Sequence, residues 1–295
     1  MIYPILRESR VVVEDRGRVF SFNALSTYST SIAYEEYKTT RRTLHKRTNY
    51  AHSNIVAQEV SAISLQINFT DLGSESILFD WLGLEKEAGI FVLPKFSSNI
   101  EPKMVTIYIT TEGGESVQFD NCFLSSIDFT LDKQIPVLMA GFESGKFSET
   151  SSPPHPSILQ GGVAPFYPGS AFSNGRQLPG FISAAISLQQ QCSWRDNRSI
   201  HDIGTIYSRK RAYVNELNSS AIIALYYIKG SAGVDELLPE YAPITITNNN
   251  IQVDFPLARI TKRLEFAEVF RVEYDIIPTE NSDPVTITLR RNRND

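Results

Sequence analysis

The feature that most restricts what this chain can fold into is an alternation of residues set in an order of elements that occurs twice. In SAISLQINF (61–69), Ile63, Leu65, Ile67 and Phe69 alternate with Ser64, Gln66 and Asn68. Successive side chains of a strand point to opposite faces, so the pattern predicts a half-buried strand with one apolar face. A related run, SAIIALYYI (220–228), lies in the second half of the 295-residue sequence. A basic stretch precedes each run, LHKRTN (44–49) or IYSRKR (206–211). A short helical pattern follows, SESILFDWLGL (74–84) or AGVDELLPEY (232–241). Then comes a hairpin pattern, VTIYITTEGGESVQFD (105–120) or ITITNNNIQVDF (244–255). Each set closes on a long strand-rich stretch, 123–143 or 257–277. Five elements in one order and spacing predict an internal duplication.

Local signals support these elements. Ile77, Leu78, Trp81 and Leu82 form one helical stripe, with Ser74 placed to cap it and Gly83 to stop it. Val105, Ile107 and Ile109 repeat the period of two, and Gly113-Gly114 or Asn248-Asn249-Asn250 supply turn residues that tolerate positive φ. Between them, residues 148–180 hold six prolines and five glycines against two charged residues, and no strand or helix period survives there. The expectation is a first domain over 1–147, a linker or exposed arm over 148–180, and a second domain over 181–295. Each domain is then a mostly antiparallel β unit with one helix packed on it.

Composition excludes several classes. Arg and Glu interrupt the first twenty residues where a secretory signal needs an apolar core, and no apolar run reaches the length of a membrane span. A soluble protein made in the cytoplasm, with no membrane partner, is expected. Two cysteines, Cys122 and Cys192, without a CxxC spacing, read as reduced thiols. The histidines His45, His52, His155 and His201 make no metal-binding spacing, and His201-Asp202 has no nucleophile elbow to serve. The paired glycines at 113–114 and 161–162 lack the context of a phosphate loop. Glu35-Glu36 reads as a solvated face, and Asn68, which begins an acceptor triplet, sits in a strand pattern. No catalytic residue, cofactor or metal is expected.

The basic stretches contrast with a net charge of −5 and a pI near 5.5. Lys38, Arg41, Arg42, Lys46 and Arg47 crowd into ten residues, and Arg209, Lys210 and Arg211 stand at the same place before the second run. A nucleic-acid grip would neutralise phosphates and weaken steeply with salt. A surface for an identical neighbour, or solvated charges on a hairpin, fits the same residues. The acidic balance and the lack of interleaved aromatics in residues 38–49 disfavour the first. Trp81 and Trp194 would suit a sugar platform, but Trp81 belongs to the helical stripe, and no spaced carboxylate pair supports hydrolysis.

The stretches ILRESRVVVED (5–15), TTRRTLHKRTN (39–49), SAISLQINF and SILFDWLGL (76–84) resemble the tail-tube proteins of long-tailed siphophages. The likeness is greatest to the type in T-five-like coliphages, where one polypeptide carries two tube domains. It covers about residues 20–145 and 181–280. The main tube protein of that type carries a further immunoglobulin-like domain, whereas this sequence reaches RRNRND soon after the second set. The expectation is therefore the shorter tube-ring protein at the baseplate end.

The resemblance implies a mainly β (β+α) fold of two phage tail-tube-like β-sandwich or barrel domains, each with one flanking α-helix. Six domains make a ring, so it also implies a homotrimer with pseudo-sixfold symmetry whose inner strands close a barrel around a channel. Partners would be other copies of the chain, adjacent tail-tube and baseplate proteins, and, transiently in the lumen, DNA and a tape-measure protein. Arg41, Arg42, Lys46, Arg47, Arg209, Lys210 and Arg211 match a loop that contacts neighbouring subunits or rings. A channel that passes DNA without holding it would have an acidic or neutral lumen. The 148–180 segment, with Phe166, Tyr167 and Phe172, would drape over a neighbour or serve as a plain connector.

Overall fold

The computed structural model describes residues 9–289 except 33, 41–50, 59, 95–100, 112–114, 133, 135, 151–152, 166, 196–208, 227–236, 267–269 and 281–282. At 34–40, 51–58, 265–266 and 270 it describes the backbone alone. Strands dominate. In chain order they are β1 (Ser9–Asp15), β2 (Arg18–Phe22), β3 (Leu25–Ser31), β4 (Tyr34–Thr40), β5 (Ala51–Gln58) and β6 (Ser61–Asn68). After helix α1 (Ser76–Trp81) come β7 (Glu85–Glu87), β8 (Ile90–Val92), β9 (Val105–Thr111), β10 (Ser116–Leu131) and β11 (Val137–Thr150). The remainder are β12 (Ser157–Leu159), β13 (Ser170–Ser173), β14 (Arg176–Gln177), β15 (Phe181–Trp194), β16 (Ala212–Tyr226), β17 (Tyr241–Thr247), β18 (Ile251–Phe266), β19 (Phe270–Pro278) and β20 (Thr286–Leu289).

The pairing order of the two halves matches strand for strand. In the first it runs β3-β6-β11-β10-β9-β1-β2, every pair antiparallel. In the second it runs β15-β16-β19-β18-β17-β13-β14, again antiparallel throughout. Even the terminal hairpins correspond. Arg16 and Gly17 turn β1 into β2 with φ of 50° and 78°, and Asn174 and Gly175 turn β13 into β14 with 50° and 75°. Two successive left-handed residues make the primed turn that suits twisted strands.

β10 joins the halves by pairing with β15, and β20 adds a second link by lying between β18 and β8. β7 extends that link beyond β8, and β12 runs parallel to β2. β4 and β5 stand apart as a two-stranded sheet that continues the β3–β6 hairpin outward.

Several elements differ from their sequence reading. β6 alternates as expected, with Ile63, Leu65 and Ile67 buried. In the second run the buried row is Ala221, Ile223 and Leu225, while Ile222 and Tyr226 are exposed. The two runs thus correspond one residue away from their apparent alignment, and a one-residue slip exchanges the faces of a strand. The 148–180 segment is no bare linker among the described residues. It supplies β12 to β2 and β13 to β17, and it buries Ala164, Ala171, Ser173 and Leu178 against its own chain. Its strands are too short to show a period. Phe166, Gly113-Gly114, His45, His201 and the first half of the second helical pattern, 232–236, lie outside the described residues.

Helix α1 stops as expected but starts differently. The Gly83 and Leu84 amides donate to the Asp80 and Phe79 carbonyls, and Gly83 takes a φ of 91°, which makes a Schellman end. At the other end the cap residue is Glu75, not Ser74. Thr70 arranges this turn. Its hydroxyl donates to Glu75 Oε2 (2.6 Å), its amide donates to the same oxygen (3.2 Å), and its Oγ1 accepts from the Ser74 amide. The β17–β18 turn likewise needs no positive φ at Asn248–Asn250. Asn248 Oδ1 closes it by accepting from the Asn250 and Ile251 amides.

One continuous apolar cluster runs through both halves. Trp81 is buried in it, stacked on Phe20 at 5.9 Å between ring centroids, edge-on to Phe22 and Phe142, with Nε1 donating to Asp15. That surrounding removes Trp81 from any sugar-binding surface.

Glu75 is buried beside α1, and burial raises its pKa above the ordinary 4.5 although the Thr70 hydrogen bonds oppose the shift. A carboxyl raised in the folded state adds stability that is full below 4.5 and is lost as pH rises through the folded value. Glu75→Gln is therefore expected to flatten the loss of stability above pH 4.5, read as urea midpoints across pH.

Candidate assembly interface

The most exacting geometry in the molecule lies where the halves meet edge to edge. Ile127, Phe129 and Leu131 of β10 stand opposite Leu188, Ile186 and Ala184 of β15, and all six are buried. The alternate residues face the other way and, apart from Ala185, are polar. Ser187 donates to Asp128 Oδ1 (2.6 Å), and Gln189 Nε2 donates to Ser187 Oγ (3.3 Å). The pairings carry this mostly polar face across the sheet, through the exposed Met139 to Gln66 on β6, with Ser64 beside it, and through the exposed Ile222 to Asp275, with Glu273 beside it, on β19. Two arginines on the same face are held by acids, Arg263 by Asp275 at 2.6 Å and Arg271 by Glu273 at 3.3 Å.

Side chains lock the joint further along. Gln190 is buried and donates to the Leu124 carbonyl at 3.0 Å. Trp194 packs on Phe123, with ring centroids 5.2 Å apart, and its Nε1 donates to Glu143 (3.3 Å). Burial raises the pKa of Glu143, while the Trp194 hydrogen bond and the charge of Arg209 pull it back. Burial also pushes the thiols of Cys122 and Cys192 up to about 12, so both stay protonated at neutral pH.

The basic residues of the second half converge on this joint. The Arg209 amide donates to the Gly145 carbonyl at 2.9 Å, and Asn121 Nδ2 donates to the Arg209 carbonyl at 3.1 Å. A side chain at 145 would put its Cβ 2.1 Å from the Arg209 carbonyl oxygen, so only glycine admits this approach. Arg211 Nη2 donates to Glu101, an exposed pair whose hydrogen bond and charge hold the Glu101 carboxyl below its usual range. Lys210 lies exposed between them. Arg209 and Arg211 thus reach the first half of their own chain. Arg41, Arg42, Lys46 and Arg47 fall between β4 and β5, outside the described residues.

Sequence patterns did not single out Gly145, Asn121, Glu143 or Gln190, and Trp194 drew attention only as an aromatic. No motif joins them, since their partners lie far away along the chain. Among the described residues, no group of three His, Cys, Asp or Glu side chains is placed to hold a metal ion, and no helix is long and apolar enough to cross a membrane.

The profile of the Bacteriophage Baseplate Tube Protein Family matches residues 1–294. The chain belongs to this family. It is also 49% identical over 294 residues to baseplate tube protein p140 of Escherichia phage T5, a match that covers 98% of each chain. Membership agrees with the expected resemblance and with a mainly β chain whose most elaborate geometry is a joint between sheets rather than a cleft. For this baseplate tube family member, the joint is the feature to test first. Gly145→Ala forces the Arg209 backbone away and is expected to destabilise the chain by about 1–3 kcal/mol, as overpacking does. Chemical denaturation measures that loss, and Arg209→Ala, which keeps the main-chain contact, should cost much less.

Proposed function

We propose that this chain is a structural, non-enzymatic subunit of a phage baseplate tube, and that three copies close into a ring of six similar units around a channel. The matching seven-strand order of the two halves carries the reading. An internally duplicated chain that joins its own halves edge to edge at β10–β15 already contains one of the joints such a ring repeats. Closing the ring removes exposed sheet edges, which otherwise promote uncontrolled association. Family membership and the p140 relative support a place in the phage tail; the long-tailed type and synthesis in the host cytoplasm belong to the same reading.

The polar face of the continuous sheet is the natural wall of the channel. Ser64, Gln66, Asp128, Ser187 and Gln189 line it together with the exposed Met139 and Ile222, and the Arg263 and Arg271 charges there are matched by Asp275 and Glu273. Such a wall does not retain phosphates, as a passage for DNA and a tape-measure protein requires. Neighbouring tail-tube and baseplate proteins would stack above and below. Arg41, Arg42, Lys46 and Arg47 would meet the adjacent copy or ring, as Arg209 and Arg211 meet the first half within the chain. The ion pair of Arg211 with Glu101 leaves less of the basic cluster to grip DNA.

Negative-stain electron microscopy of the purified protein, with its mass from light scattering at low and high concentration, tests the reading. Rings with a central hole and a mass approaching three chains are expected as concentration rises. A monomer at every concentration that is retained on DNA and released by salt would overturn it.

A further inference from the structure

A cleft of about 390 Å³ opens where the end of helix α1 and residues 101–104 overlie β15 and β16. It lies on the side of the sheet to which Leu188 points, away from the polar face, and its size suits a short length of chain. Val214, Leu217 and Met104 give it apolar walls. One buried polar atom faces it without a partner. Gln190 is 3% exposed, and its Nε2 donates to the Leu124 carbonyl at 3.0 Å, which leaves Oε1 as the atom turned to the cleft. Among the described residues nothing donates to that oxygen. Gly83 keeps it open, since a Cβ there would stand 3.4 Å from Oε1 and 4.0 Å from Leu217 Cδ1. A buried acceptor without a donor is costly, so the cleft calls for an N–H.

The charges around the cleft are not balanced. Lys103 is held by Asp80 at 2.5 Å, and Arg211 by Glu101. Arg16 has no acidic partner among the described residues, because the neighbouring Asp15 accepts from Trp81 Nε1 instead. We propose that the cleft binds a short extended peptide segment of a partner protein. An acidic side chain of that segment meets Arg16, a backbone N–H donates to Gln190 Oε1, and an adjoining apolar side chain rests on Val214, Leu217 and Met104. A nucleic-acid backbone would satisfy Arg16, but its sugars and phosphates bring no N–H to Oε1 and would set charge against apolar walls. The cleft lies within one chain, so the inference holds whether or not three copies close into a ring.

Methyl NMR of the full chain tests the site. The sequence has three methionines, and Met104 lines the cleft while the exposed Met139 stands on the polar face. The methionine-labelled protein is titrated with N-acetyl-Ala-Glu-Leu-amide and with N-acetyl-Ala-Gln-Leu-amide. Saturable movement of the Met104 methyl is expected with Met139 unmoved, and at lower concentration for the glutamate peptide. Arg16→Asn, which suits the left-handed turn, should weaken the glutamate peptide about two- to fivefold, the size of an exposed ion pair, and leave the glutamine peptide unchanged. A still Met104 methyl with both peptides would overturn the site. Equal affinity for the two peptides would overturn the acidic assignment. A thymidine tetranucleotide that moves Met104 at lower concentration than the glutamate peptide would overturn the peptide in favour of nucleic acid.

Discussion

The main-chain ladder between Ser126–Leu131 and Ala184–Gln189 is the constraint on which the rest of the molecule depends. A strand edge carries unpaired amides and carbonyls, and an exposed edge recruits whatever strand it meets. By satisfying one edge of each half against the other, the chain turns two sheets into one surface with a single continuous core. The same ladder aligns two apolar rows over the interior and, on the opposite face, two rows that are polar except at Ala185. Contacts that look unrelated in sequence serve this ladder. Gln190 reaches the Leu124 carbonyl, Trp194 reaches Glu143, and Gly145 lets the Arg209 backbone lie against it.

Legibility in the sequence followed the length and purity of the pattern. β6 was readable because polar Ser64 and Gln66 separate its apolar residues, so the buried face declares itself. Its counterpart in β16 was harder, since Ala221, Ile222, Ile223, Ala224 and Leu225 present apolar side chains to both faces, and only the pairing with β19 decides which row is inside. The segment 148–180 was misjudged because strands of two to four residues have no room for a period. Their partners, β2 and β17, lie far off in sequence. Its one legible signal, Asn174-Gly175, is a hairpin dipeptide hidden among many other turn residues.

The candidate interface was legible as charge and illegible as geometry. Arg209, Lys210 and Arg211 stood out by type, yet what Arg209 contributes is its peptide group, which any residue carries. The side chain that matters at that contact is the missing one at Gly145. Helix capping shows the same limit, because Ser74 was the obvious cap by residue type and Thr70 and Glu75 took over the turn through hydrogen bonds that spacing alone does not reveal.

The strand β20 has a consequence for how the molecule comes into being. Residues 286–289 fill the place between 90–92 and 251–254. A ribosome delivering the chain from its beginning leaves β8 without that neighbour until about two hundred further residues have emerged. Pairings between such distant segments close large loops and form slowly. The bridge that β20 makes from β8 to β18 therefore cannot close before residues 286–289 have been made.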